Sequence, residues 1–321
     1  MQTSRQAASG FSRKILGALL VAVLAAEGAA GQAVFNRDRA KEPGAPAWRA
    51  AKAKLPPFTP PRLADGKPDL QGRWGGSNSG DDIEETGYID ATTPPAETWV
   101  ADPPDGKLPY QPWALAERNK HRAGLARGWP GETGERLYVD PQTFCLKTVP
   151  RYAQRGFELL QQPNQVVQML NWGHYWRAIP LTDRPHPGST AKFWLGNSRG
   201  RWDGDTLVVD VTNLNGKMWL DSVGNFYSDN AKVTERFRLV EANTIDYTVT
   251  IEDPTVFTRP VTLNFPLERA GTGGGNGQQQ EPDPYEKESW EHACHEGNAH
   301  HIEGAKTLGF KWYLPPSPPA R

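Results

Sequence analysis

In Thr244-Ile245-Asp246-Tyr247-Thr248-Val249-Thr250-Ile251-Glu252 apolar and polar residues alternate without a break. A pleated strand sends successive side chains to opposite faces, so this pattern predicts a strand with one buried face and one wet face. The same period of two recurs through 137–267, with strands expected at 157–162, 165–172, 175–181, 192–195, 232–240 and 261–267. In the run 201–211 an Asp203-Gly204 step precedes a further apolar strand. Asp-Gly between strand-like segments is a strong short-range signal for a hairpin.

So many short strands at turn spacing predict a mainly β fold. We expect an antiparallel, lipocalin-like (calycin-type) barrel in preference to a sandwich, with a few short helices and long loops. The preference rests on Gly72-Arg73-Trp74, which opens the β region with a Gly-x-Trp resembling the start of lipocalin-like barrels. A barrel closes its own edges and can hold a small ligand, whereas a sandwich fills its interior with side chains.

Outside the alternating region the pattern changes. Residues 112–127 place Pro112 at a first helical position, followed by Trp113, Ala114, Leu115 and Ala116 among charges, and predict a helix. Pro and Ala dominate 32–65, which reads as an extended arm, and the Pro, Gly, Asp and Thr of 75–106 read as irregular surface structure. A single β domain is expected over 66–314, with a flexible Gly-rich loop at 271–284, a strand returning over 286–293 and a disordered tail at 315–321.

At the N-terminus, Arg5, Arg13 and Lys14 precede an apolar run over 15–26 and the small residues Gly28-Ala29-Ala30-Gly31. That succession predicts a signal peptide over 1–31 and a periplasmic or secreted protein after cleavage. The run is short of the about 20 residues a bilayer span needs, so no stable membrane span is expected. About 290 residues would remain, ample for one core. In an oxidising compartment the two cysteines, Cys145 and Cys294, are most simply a disulfide. With a formal net charge of -1 and no basic stripe, the chain offers nucleic acid no electrostatic foothold.

Three clusters carry candidate chemistry. His186, clamped between Pro185 and Pro187, has the fixed placement that suits a general base, and His174 lies upstream at the start of a neighbouring predicted strand. Glu235 falls in the apolar row of Val233, Phe237 and Leu239. A carboxylate there must be ion-paired or face a cavity, because burying it bare costs several kcal/mol. It is therefore either half of a structural ion pair or a catalytic acid. The third cluster, His292, His295, Glu296, His300 and His301, would converge as a metal site, but its spacing fits no zinc pattern and it also reads as solvated histidines beside a disulfide. Asp203 and Asp205 are explained by turn chemistry better than by Ca²⁺.

The segments Lys67-Pro68-Asp69-Leu70-Gln71-Gly72-Arg73-Trp74, Asp183-Arg184-Pro185-His186-Pro187, 200–210, Asp253-Pro254 and Ala293-Cys294-His295-Glu296-Gly297-Asn298 together resemble a family of secreted, β-rich bacterial proteins. The resemblance covers 66–309 and implies export and a β-rich fold; it assigns no catalytic residue. In that family the positions after Asn298 are usually apolar or aromatic, whereas here they read Ala299-His300-His301, which argues against a family-wide role for those two histidines.

No Gly-x-Ser-x-Gly elbow, phosphate-cradling loop or dinucleotide fingerprint is present, which disfavours ATP, NAD and serine-esterase chemistry. The expectation is an exported enzyme acting on an apolar or aromatic small molecule in a barrel cavity by cofactor-independent acid–base chemistry. His186 or His174 would be the base and Glu235 the acid, with Trp172, Trp176, Trp194 and Arg184 binding the substrate. The alternatives are a non-catalytic carrier of a lipophilic ligand and a metal-dependent enzyme using the 292–301 cluster.

Overall fold

A computed structural model describes residues 44–76, 82–84, 98–123, 138–151, 156–170, 173, 175–269, 294, 303 and 311–312. The expected signal peptide, Gly-rich loop, 286–293 strand and tail lie outside these residues.

Alternation is translated into strands almost residue for residue. The strands are β1 Gly72–Gly76, β2 Val100–Asp102, β3 Tyr138–Val139, β4 Phe157–Gln162, β5 Gln165–Leu170 and β6 Trp176–Pro180. They continue as β7 Asn197–Asp203, β8 Thr206–Thr212, β9 Lys232–Glu241, β10 Thr244–Glu252, β11 Val261–Arg269 and β12 Lys311–Trp312. Gly204 turns between β7 and β8 with φ +57°, a left-handed conformation that a glycine adopts without cost. Asp203 and Asp205 are spent on surface ion pairs with Arg236 and Arg62, each at 2.8 Å.

Hydrogen bonding orders the main sheet β6-β5-β4-β1-β11-β10-β9-β8-β7, with β2 also paired to β11, while β3 and β12 form a small parallel pair. Every neighbouring pair along the path is antiparallel. Nine strands in such an order point the two end strands the same way, and β6 and β7 do meet in parallel, through a bridge between Leu181 and Gly200. The result is a nearly closed, barrel-like sheet with a seam between β6 and β7. Gly200 lets the edges touch: a Cβ there would lie 2.8 Å from the Leu181 side chain and 2.9 Å from that of Ile179.

The inward row is filled. Trp74, Phe157, Leu159, Val166, Ile179, Leu207, Val209, Val233, Phe237, Ile245, Tyr247, Val249, Phe265 and Leu267 are all buried. Trp74 donates its indole N–H to the Leu70 carbonyl at 2.8 Å, and the Arg269 guanidinium sits 4.2 Å from its ring centre. The loops joining β8 to β9 and β10 to β11 leave one end of the sheet, where Tyr110 packs against both Phe226 and Phe257, ring centres 5.7 and 5.1 Å away.

Several local expectations are corrected. Within the 32–65 arm, Ala45–Lys52 forms helix α1 rather than extended chain. Its alanines favour helix, and Trp48 anchors it by donating to Asp246 Oδ1 at 2.9 Å. The stretch 75–106 is not all surface: Ile83 and Trp99 are fully buried, Trp99 edge-on to Phe265 at 5.6 Å. The 192–195 segment forms no strand, because Gly196 turns the chain with φ +67° and leaves only the bridge between Phe193 and Leu214. Helix α2, Pro112–Ala123, stands where expected.

Candidate functional site

Because β6 and β7 share a single bridge, their edges diverge on the Trp176 and Asn197 side of it, and a groove of about 430 Å³ opens along the seam. Its walls are Trp176, Ala178 and Pro180 from β6, Phe193, Trp194 and Leu195 from the returning loop, and Asn197 to Arg199 from β7. Trp176 is 66 % exposed and Phe193 44 %, large apolar side chains left in water beside one another. Exposed aromatic side chains grouped in one concavity are the kind of surface that marks a binding site. Tyr175 adds a phenol that burial holds above its ordinary pKa, so it remains a hydrogen-bond donor.

A second hollow, about 230 Å³, adjoins the groove and is lined by Thr182, Asp183, Arg184, His186, Gly200, Arg201 and Asp210. Arg199 lines both. The two prolines hold 185–187 as an extended strap over β7, and the His186 Nδ1–H donates to Asn197 Oδ1 at 2.8 Å. With Nδ1 engaged in that bond, Nε2 is the ring nitrogen left to accept a proton.

Glu235 lies inside the sheet, fully buried. Arg177 Nη2 donates to its Oε2 at 2.7 Å and the Tyr247 hydroxyl to its Oε1 at 2.7 Å. The same arginine donates through Nε to Gln168 Oε1 at 2.7 Å and through Nη1 to Ser198 Oγ at 3.4 Å. Arg177 stands on β6 and Glu235 on β9, so the pair reaches across the seam rather than between adjacent strands. Burial and the Glu235 charge keep the Tyr247 phenol well above its ordinary pKa, a permanent donor to the carboxylate.

Of the residues singled out from sequence, the structure brings Arg184 and His186 to one hollow and Trp176 and Trp194 to the adjoining groove. Glu235 is instead held in the interior by Arg177 and Tyr247. His174 and Trp172 lie outside the described residues, as do His292, His295, Glu296, His300 and His301. Among the described residues no group of three or more His, Cys, Asp or Glu side chains could hold a metal ion. Cys145 and Cys294 are joined in a disulfide, Cα atoms 5.9 Å apart. No described helix is long and apolar enough to cross a membrane.

A second polar centre escaped the sequence reading. Asp82, Glu84, Arg118, His121, Asp221 and Asn225 are all buried where α2 packs against the loops. Arg118 pairs with Glu84 and donates to Asn225 Oδ1 at 3.0 Å, and Arg122 lies 3.3 Å from Asp82. Burial foremost, then the Asp221 charge, raises Asp82 to about 7 against the pull of Arg122. Burial lowers His121 to about 4 despite the Gly224 carbonyl its ring faces at 3.3 Å. The signal was present: Ala114, Arg118, His121 and Arg122 share one helical face, so the polar stripe itself faces inward. These groups tie 82–84, 108–122 and 221–225 together.

No known protein family, curated protein or solved structure matches the chain.

Proposed function

We propose that this chain is an exported protein that takes an apolar or aromatic small molecule into the groove along the β6–β7 seam and acts on it by acid–base chemistry without a nucleotide cofactor. One observation carries the reading: among the described residues the path of paired strands begins and ends at this seam, and there Trp176, Phe193 and Trp194 line a groove of about 430 Å³. That volume lies in the range of small-molecule sites, about 300 to 1,000 Å³, whose walls are mostly apolar with a few placed polar groups. His186 is the proton acceptor, oriented by Asn197, a residue that itself lines the groove. In this reading Glu235 is a positioning residue that holds Arg177 at the groove floor. The disulfide supports export, since such bonds persist in oxidising compartments. A lipocalin-like barrel is supported by the Gly72-Arg73-Trp74 opening with Arg269 stacked on Trp74.

The test is to purify the full chain from an exported fraction, release and identify any small molecule it retains, and incubate that compound with the wild type and His186→Ala. Conversion by the wild type and not by the variant supports the enzyme. A compound that is retained but never changed makes the chain a carrier, the second reading that the groove itself favours. If no apolar or aromatic compound is retained, and none offered to the protein binds, the reading fails.

A further inference from the structure

We infer that the molecule bound in the seam groove is an organic acid: an apolar, planar body lying against Trp176, Phe193 and Trp194, and one anionic group received by Arg199 with support from Arg184. The inference rests on the groove reading above and adds the ligand's charge to it.

Among the described residues, Arg199 is the one that lines both the apolar groove and the polar hollow. A ligand seated on the aromatic wall therefore meets its guanidinium on the way into the hollow. The arginines around it already have acidic partners: Arg201 pairs with Asp210, Arg236 with Asp203 and Arg62 with Asp205. Among the described residues, no carboxylate ion-pairs with Arg199 or Arg184. Arg199 Nη1 donates to the Ser198 carbonyl at 2.9 Å and its Nε points to the Arg184 carbonyl at 3.3 Å. Both bonds go to neutral backbone, so they position the guanidinium without neutralising it, and Asp210, directly opposite on β8, is already taken by Arg201.

The balance of the hollow agrees. Arg184, Arg199 and Arg201 face it against Asp183 and Asp210, and Asp210 is already held by Arg201 and by Thr234 at 3.0 Å. One positive charge remains beside an apolar wall, which is complementary to a molecule with one negative charge and an apolar remainder. A planar guanidinium binds a carboxylate or sulfonate through paired N–H donors, and it keeps its charge at any physiological pH. The imidazole of His186 lines the same hollow, so the ligand's charged end is held on the side where the proton acceptor stands.

Two fluorescent probes with the same body test this: anilinonaphthalene sulfonate, which is anionic, and phenylnaphthylamine, which lacks the sulfonate. The folded wild type should bind the sulfonate roughly tenfold more tightly than the neutral probe, a preference that shrinks as salt is added. Arg199→Gln should weaken the sulfonate roughly tenfold and leave the neutral probe within about twofold, whereas Trp176→Ala should weaken both. Arg184→Gln, on the exposed strap, should weaken the sulfonate selectively and carries the test if the β7 variant does not fold. Equal binding of the two probes by the wild type, or equal weakening of both in the arginine variants, overturns the anion assignment and leaves the groove standing. If neither probe binds, or Trp176→Ala changes neither affinity, the groove itself is refuted and the assignment with it.

Discussion

At the scale of single residues, two buried groups show how environment decides what a charge does. Glu235 accepts from Arg177 and Tyr247 deep in the sheet, so Glu235→Ala would leave a buried guanidinium without its counter-charge. The expected loss is about 3 to 5 kcal/mol in urea unfolding, with Glu235→Gln milder because it keeps an acceptor oxygen. A change within experimental error would mean that water reaches Arg177. Asp82 makes a prediction in pH. Its ordinary value is 3.8 and in the folded chain it is about 7, so between these pH values the folded state holds a proton that the unfolded state has released. The contribution of this group is whole below about pH 4 and is lost as pH rises to about 7. His121 runs the other way: lowered from 6.5 to about 4, it contributes above 6.5 and loses that contribution as pH falls towards 4. Comparing the wild type with Asp82→Asn isolates the aspartate. The variant should gain stability relative to the wild type between pH 4 and 7 and hold that gain above; a flat difference across this range would rule the account out.

At the scale of elements, the seam is closed by one glycine. Gly200→Ala would push a methyl into Leu181 and Ile179, at the only bridge between β6 and β7. We expect a loss of about 1 to 3 kcal/mol and a parallel loss of probe binding in the groove, read by chemical denaturation and by titration. If stability falls while the groove still binds its probe unchanged, closure of the seam and shape of the site are independent. The disulfide acts on another pair of elements, tying Cys145, just after the short helix Pro141–Phe144, to Cys294. Its partners are 149 residues apart, so the chain-entropy account assigns it about 4 to 5 kcal/mol. Cys145→Ala with Cys294→Ala should lower the unfolding midpoint by a matching amount, and added reductant should reproduce the effect in the wild type alone.

At the scale of the whole molecule, much of the architecture was legible because strand formation here is a local matter. The Thr244–Glu252 strand stands residue for residue where alternation placed it, and the β7–β8 hairpin turns at Gly204 as its Asp-Gly step implied. Glu235 could be picked out as anomalous from its own strand, since the face of a residue follows from its neighbours two positions away. Its partner could not, because Arg177 is 58 residues distant and meets it only once the sheet has curled until β6 lies beside β7. The groove is hidden for the same reason: Trp176 and Phe193 belong to segments that no short-range pattern connects.

Periodicity thus determined by itself that this is a mainly β protein, where most of its strands run, and that one carboxylate faces the core; the cysteine count and the N-terminal pattern set the expectation of a disulfide. Tertiary structure alone decided the strand order, the parallel meeting of β6 and β7, the aromatic groove between them and the placing of Arg199 at its end. The division has one physical cause. Side-chain direction along a strand is fixed by covalent geometry over two residues, whereas closure of a sheet and pairing of charges across it depend on contacts between residues far apart in the chain.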